Sequence, residues 1–154
     1  LVNNQVTFKS SKPSVAKIKN NILYAKDNGS YSLTVSLNSN PALSSTESYV
    51  MSGIKKPKTN ITSVKSKKKK QITVSWKNNI KNVTGYEIQY STSKKFTKKT
   101  TKTVTAKGKK AKSKTISKLK SKKTYYVRIR AYKNQSQGEK FYGKYSKTLK
   151  IKVK

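Results

Sequence analysis

Residues 124–132 read Thr-Tyr-Tyr-Val-Arg-Ile-Arg-Ala-Tyr, an uninterrupted alternation at a period of two. Successive side chains of a strand point to opposite faces, so this run specifies a half-buried strand. Tyr125, Val127, Ile129 and Ala131 take the inward phase, and Tyr126, Arg128, Arg130 and Tyr132 take the outward one. A helix would scatter the same residues around its circumference. The inward phase of residues 72–76 and 85–90 likewise collects Trp76, Tyr86, Ile88 and Tyr90. Residues 149–154 repeat the pattern, with Leu149, Ile151 and Val153 inward and Lys150, Lys152 and Lys154 outward. Leu119 precedes Tyr125 by six residues across a polar corner. The expected fold is all-β.

Leu119, the short polar turn, Tyr125 and the closing Arg130-Ala131 resemble the corner and following strand of a fibronectin type III domain. Ile72-Thr73-Val74-Ser75-Trp76 is similar to that family's second strand with its core tryptophan, and Gly85-Tyr86-Glu87-Ile88-Gln89-Tyr90 to its third. Tyr142-Gly143-Lys144-Tyr145-Ser146 is similar to its Gly-x-aromatic-Ser approach to the last strand. A sandwich of this type takes about 100 residues, which sets the domain at 60–154. The core of such a domain is expected to hold Trp76, Tyr86, Ile88, Leu119, Tyr125, Val127 and Ile129, with the Tyr125 hydroxyl capping nearby backbone. The fourth strand has the weakest pattern, with little beyond Val104 over residues 98–107. On the outward face, Glu87 is expected to pair across strands with Arg128 or Arg130 for roughly 0.2–1 kcal/mol.

Residues 1–54 read as further short strands at 6–9, 15–18, 22–25 and 31–35. A turn at Asp27-Asn28-Gly29, a polar loop over 38–48 and a last strand at 49–51 complete the pattern. Ser10, Ser11, Pro13, Ser14, Val15, Ala16, Gly29 and Leu33 fall where the second half of a bacterial immunoglobulin-like domain of group 2 carries the same residues. Asn21 stands where that family has glycine, and asparagine tolerates the left-handed backbone best after glycine. The family's opening strands have no counterpart before Leu1. The expectation is therefore two immunoglobulin-like β-sandwich modules in tandem, the first incomplete at 1–54 and joined through a linker at 55–59. An incomplete sandwich leaves a sheet edge open and is expected to be the less stable module. Because the sequence opens at Leu1 rather than Met, it reads as a piece of a longer polypeptide whose targeting signals lie elsewhere.

Cysteine and histidine are both absent, which removes the common nucleophile activators, proton shuttles and transition-metal ligands together. Four carboxylates scattered over 154 residues offer neither an acid/base pair nor a calcium loop. No catalytic, cofactor-binding or metal-binding residue is expected. No run approaches the ~18 apolar residues of a membrane-spanning helix, so membrane insertion is not expected. Asn-x-Ser/Thr triplets, among them those at Asn60, Asn82 and Asn134, arise readily by chance in this composition.

What remains is charge, at a formal +34. Residues 1–54 hold five lysines against Asp27 and Glu47, a net +3, whereas residues 55–154 hold 33 bases against Glu87 and Glu139, a net +31. Solubility asks for a magnitude of only about 2–8. Lysines cluster at 65–70, 94–102, 107–114 and 118–123. The candidate polyanion-binding residues are Lys67, Lys68, Lys69, Lys70, Lys107, Lys109, Lys110, Lys112, Lys114, Lys122 and Lys123.

The composition and the two resemblances imply a noncatalytic extracellular spacer or adhesion module of a bacterial surface or secreted protein. Its lysines would meet an anionic polymer such as teichoic acid, a polysaccharide or a glycosaminoglycan. It would also adjoin other domains of the same longer chain. An alternative is a nonspecific nucleic-acid binder, with Tyr126, Tyr132 and Tyr145 as stacking faces. Only two of the 38 basic residues are arginine, the side chain that reads guanine bidentately, which argues against sequence-selective recognition. A third possibility is an accessory domain of an exported enzyme.

Overall fold

The computed structural model describes residues 5–77 and 80–154. Among these, every regular element is a strand except one 3-10 turn at Ser136–Gly138. The chain divides into two compact units, Leu1–Lys56 and Pro57–Lys154.

In the first unit, β1 (Val6–Ser10), β4 (Gly29–Leu37) and β5 (Ser44–Met51) form an antiparallel sheet in the order β1-β4-β5. Between them in sequence, β2 (Ala16–Lys19) and β3 (Ile22–Ala25) make a separate hairpin. Its two-residue turn places both Asn20 (φ 51°) and Asn21 (φ 57°) in the left-handed region, the arrangement that a tight hairpin demands and that asparagine tolerates. Gly29 opens β4 at φ 141°, a conformation side chains resist. The loop expected over 38–48 is shorter, because β5 already begins at Ser44. Thr34 and Thr46 share a cross-strand hydroxyl hydrogen bond of 2.8 Å there, and Tyr31 stacks on Tyr49 at 5.7 Å. Burial in this unit is thin. Among its described residues, Val15, Ala16 and Tyr24 are the buried apolar ones, whereas Leu43 and Val50 are exposed at 57% and 73%.

The second unit is a two-sheet sandwich. One sheet has the order β10-β7-β6, from β6 (Ile61–Lys65), β7 (Ile72–Trp76) and β10 (Ser113–Ile116). The other runs β12-β11-β8-β9, from β8 (Gly85–Ser91), β9 (Thr101–Lys107), β11 (Thr124–Asn134) and β12 (Lys140–Tyr142). A further strand, β13 (Leu149–Lys152), also pairs with β11. The expected strand at 98–107 is β9, and its register sets buried Ala106 opposite Tyr86 and half-buried Val104 opposite Ile88.

Between the sheets lies one apolar cluster that includes Trp76, Tyr86, Ile88, Leu119, Tyr125, Val127 and Ile129. Ile88, Val127 and Ile129 are wholly buried, and Trp76 packs on Tyr86 with ring centroids 5.3 Å apart. Fully burying side chains of this size stabilises by about 1.5–3 kcal/mol each. The Tyr125 hydroxyl accepts the Lys120 N–H at 3.2 Å, so the corner before β11 is pinned by the side chain it delivers to the core. Two phases depart from the sequence reading. Leu149 is 36% exposed although its phase is inward, because it opens the edge strand β13. Tyr132 is 3% exposed although its phase is outward, being covered by Tyr142 and Lys140 and pressed against Gly85.

Between β12 and β13 the ladder along β11 is maintained by residues outside either strand. Gly143 N–H donates to the Ala131 carbonyl (2.8 Å) and Ser146 N–H to the Ile129 carbonyl (2.8 Å). In return the Ile129 N–H donates to Ser146 Oγ at 3.1 Å. Gly143 lies so close to the Pro57 carbonyl that any Cβ would collide with it. This gives a physical reason for the Gly-x-aromatic-Ser sequence at 143–146.

The sandwich has two ends. The chain enters at 57–60 beside the end of β7, where loops 108–112 and 135–139 also lie, and leaves past β13 at the opposite end. That exit end carries loops 66–71, 92–100 and 117–123.

Candidate polyanion-binding surface

The outward stripe of β11 is occupied by its own neighbours. Arg130 pairs with Glu87 at 2.6 Å, and Arg128 donates to Gln89 Oε1 at 2.7 Å. Each guanidinium also lies between two aromatic rings. Arg128 is 4.1 Å from the Phe96 centroid and 4.0 Å from that of Tyr145. Arg130 is 3.6 Å from the Tyr142 centroid and 4.6 Å from that of Tyr145. The order across the face is Phe96, Arg128, Tyr145, Arg130, Tyr142, a run of alternating rings and cations. Burial pushes the Tyr145 hydroxyl up to about 12; Arg130 opposes this and Glu87, which accepts its hydrogen bond at 3.3 Å, reinforces it. Both arginines are thereby committed to the fold, and Tyr132 and Tyr145 do not present free faces for stacking. The sequence reading anticipated the Glu87 pairing but missed Phe96, Tyr142 and Tyr145 as its clamps. Tyr142 and Tyr145 were visible in the sequence only as part of the 142–146 motif, and Phe96 carried no periodic signal.

The lysines lie elsewhere, and the structure splits ten of the eleven candidates between the two ends. Lys67, Lys68, Lys69 and Lys70 occupy loop 66–71, and Lys122 and Lys123 occupy loop 117–123, all exposed at the exit end. These two loops are tied together: Leu119 N–H donates to the Lys70 carbonyl, and Lys70 N–H to the Lys154 carbonyl, each at 2.9 Å. Lys107, Lys109, Lys110 and Lys112 lie at or beyond the end of β9, at the entry end. Lys114 sits within β10, opposite buried Val74 and in phase with buried Ile116, yet is itself exposed. The other ten candidates therefore form two patches rather than one.

Loop 92–100 joins the exit-end patch, although the sequence-based site residues include none of it. Ser91 Oγ and Thr100 Oγ1 share a hydrogen bond of 2.8 Å, Thr100 Oγ1 meets Thr97 Oγ1 at 2.8 Å, and Lys95 N–H donates to Ser93 Oγ at 3.2 Å. This hydroxyl lacing holds Lys94, Lys95, Lys98 and Lys99 exposed on the loop surface. Phe96 adopts φ 51° within it, a conformation an aromatic residue rarely takes, held by its ring against Arg128. The three exit-end loops together hold twelve lysines and no carboxylate. The lysine clusters at 94–102 and 118–123 were the sequence signal for this patch. The topology that gathers them was not visible in the sequence.

Among the described residues no group of His, Cys, Asp or Glu is placed to hold a metal ion. No helix of the described residues is long and apolar enough to cross a membrane.

Comparison with known proteins bears on the second unit most directly. No curated protein matches the sequence significantly. Solved structures that share the fold include three fibronectin type III structures. The fn3 domain of human contactin 1 is 20% identical with a TM-score of 0.52, covering 67% of this chain and 83% of that one. The chicken CNTN1 FN1-FN3 domains are 24% identical with a TM-score of 0.53, covering 86% of this chain and 45% of that one. The fn3 domain of human collagen alpha-1(XX) chain is 17% identical with a TM-score of 0.50, covering 66% and 90%. The fibronectin type III domain model matches residues 55–144, the stretch that supplies both sheets up to Tyr142, the tyrosine corner and Gly143, and the chain belongs to the fibronectin type III family.

Proposed function

We propose that this chain is a noncatalytic extracellular module that holds anionic polymers by its lysine surface, as part of a bacterial surface or secreted protein. Fibronectin type III domains are commonly noncatalytic modules of extracellular proteins, which supports the general reading. The observation that carries the polymer-binding part is the exit end of the second unit, where three neighbouring loops contain twelve lysines and no Asp or Glu. Such a field attracts a polyanion and releases its condensed counterions. Teichoic acid, an acidic polysaccharide or a glycosaminoglycan supplies the required linear charge. The first unit fits the role of a partial bacterial immunoglobulin-like module of group 2, bounded at 1–54 and linked through 55–59 to the domain at 60–154.

Nucleic acid is the second reading, and it finds less support. The two arginines are clamped between aromatic rings, and Tyr132 is buried, so neither guanine reading nor base stacking on these residues is favoured. Any nucleic-acid binding would be nonspecific. Immobilised heparin, teichoic acid and duplex DNA are all expected to bind the full chain, with log affinity falling linearly in log salt. Affinity unchanged into molar salt would overturn the electrostatic reading.

A further inference from the structure

A groove of about 520 Å3 runs at the exit end between loop 92–100 with the start of β9 on one side and residues 117–120 on the other. That volume falls within the roughly 300–1,000 Å3 of sites that hold small organic ligands. Lys99 and Lys102 come from the first wall and Lys118 and Lys120 from the second. All four are exposed. Thr92 and Ser117, both exposed, add a hydroxyl residue on either side, and buried Tyr90 and Tyr125 complete the lining. Both walls are fixed in place. The Tyr125 hydroxyl accepts the Lys120 N–H, Lys70 accepts from Leu119, and Thr100 is tied to Ser91.

The chemistry of this groove is more selective than its charge. Four ammonium groups on facing walls suit a chain carrying a phosphate or sulfate at intervals, because an ammonium binds such groups as a point charge without demanding a planar fork. The two hydroxyls between them suit a partner that itself bears hydroxyls. The lining argues against nucleobases. Tyr90 and Tyr125 are 8% and 7% exposed and packed on one another at 6.2 Å, which leaves too little ring surface open for a base to stack on.

Resting on the polyanion reading above, we infer that this groove is the seat of selective binding, and that its ligand is a segment of an anionic polyol or sugar polymer with phosphate or sulfate groups. The remainder of the lysine surface contributes attraction from a distance. One binding chemistry thus serves two sources, a polyol phosphate and a sulfated glycan.

The test uses the full chain with three charge-matched oligomers: poly(glycerol phosphate), a heparin oligosaccharide and oligothymidylate. Lys99→Gln/Lys120→Gln is compared with Lys107→Gln/Lys109→Gln, which removes the same charge at the entry end. The groove variant is expected to lose about tenfold in affinity for at least one of the first two oligomers, with the salt slope falling by about one per lysine removed. The entry-end variant is expected to lose less than about threefold. Which oligomer responds more distinguishes phosphate from sulfate as the source. Thr92→Ala/Ser117→Ala is expected to weaken the hydroxyl-bearing oligomers severalfold at unchanged salt slope, and to leave oligothymidylate unaffected.

Equal losses in the two lysine variants would overturn the groove while leaving polyanion binding intact. Absence of salt-dependent binding by the wild-type chain would overturn both. Tighter binding of oligothymidylate than of either other oligomer would overturn the ligand class. Unchanged Trp76 emission establishes that a variant is folded. Amide shifts of the wild-type chain on titration with the same oligomers give an independent reading. Movement centred on 92–100 and 117–120 supports the groove, and movement centred on 107–112 overturns it.

Discussion

Arg130 illustrates how a surface residue becomes part of the interior. From the sequence, either arginine of β11 should be worth no more than about 1 kcal/mol, as exposed ion pairs are. The structure instead sets Arg130 between two rings and against Glu87, whose side chain is only 11% exposed. Arg130→Ala strands that carboxylate and is expected to cost about 2 kcal/mol by urea denaturation, between the values for an exposed and a buried broken pair. Trp76→Ala, which empties the largest core position, is expected to cost roughly 3–5 kcal/mol. A cost for Arg130→Ala below that of a neutral surface substitution would refute the clamp. Ser146→Ala leaves the Ile129 N–H buried without its acceptor and should destabilise by about 1–3 kcal/mol, read from the same denaturation curves.

Tyrosine ionisation tests the same face. Desolvation raises Tyr86, Tyr90, Tyr132, Tyr142 and Tyr145 above the ordinary value, Tyr145 to about 12. A phenol whose proton is held more tightly in the folded state stabilises that state below the unfolded value near ~10, and this contribution is lost as pH rises toward the folded one. Stability should therefore fall between about pH 10 and 12. Absorbance at the phenolate band should show a late-titrating group of tyrosines that becomes ordinary in denaturant, and a single unperturbed titration would contradict it.

At the scale of elements, the period-two runs were legible because each strand of the second unit has one dry face, and a dry face writes itself as alternation. Residues 124–132 needed nothing else. The fourth strand was faint for the converse reason: β9 is an edge with only Ala106 buried, so packing places little demand on its sequence. Tyr132 misled because alternation reports direction, and cannot report that Tyr142 and Lys140 cover the outward face. In the first unit, β5 was half hidden as a polar loop because its residues from Ser44 to Val50 are exposed, and serine and threonine pair across β4 through hydroxyls in place of apolar contacts. This thin packing leads to a prediction. Amides of β4 and β5 should exchange with solvent at least about tenfold faster than those of β8 and β11, since protection follows burial and local stability. Equal protection measured by hydrogen exchange would mean that the first unit has a core not apparent in its described residues.

For the whole molecule, the sequence revealed the quantity of charge but not its geography. Strand order decides that Lys67 to Lys70 and Lys118 to Lys123 share an end while Lys107 to Lys112 occupy the other, and strand order is written in pairings between distant segments. A net +31 on residues 55–154 also works against the compact state. Sulfate, or a soluble polyanion, is expected to raise the thermal midpoint by several degrees over dilute buffer, because an anion selective for the folded charge density shifts the equilibrium toward it. A midpoint indifferent to salt from millimolar to several hundred millimolar would count against such repulsion. Lys114 shows charge used differently: on the inward phase of the edge strand β10 but exposed, it would place an ammonium in the way of any strand adding to that edge, a known guard against aggregation.

The chain enters the second unit at one end and leaves it at the other, and this has a mechanical consequence. Tension along the polypeptide would draw β6 and β13 in opposite directions, each along its own axis, so that their hydrogen bonds to β7 and β11 are loaded together in shear and cannot be opened one at a time like a zip. The Gly143-to-Ser146 bridge and the ring-and-guanidinium stack lie just ahead of β13 on this load path. A pull on a tethered polymer would reach them once β13 had given way.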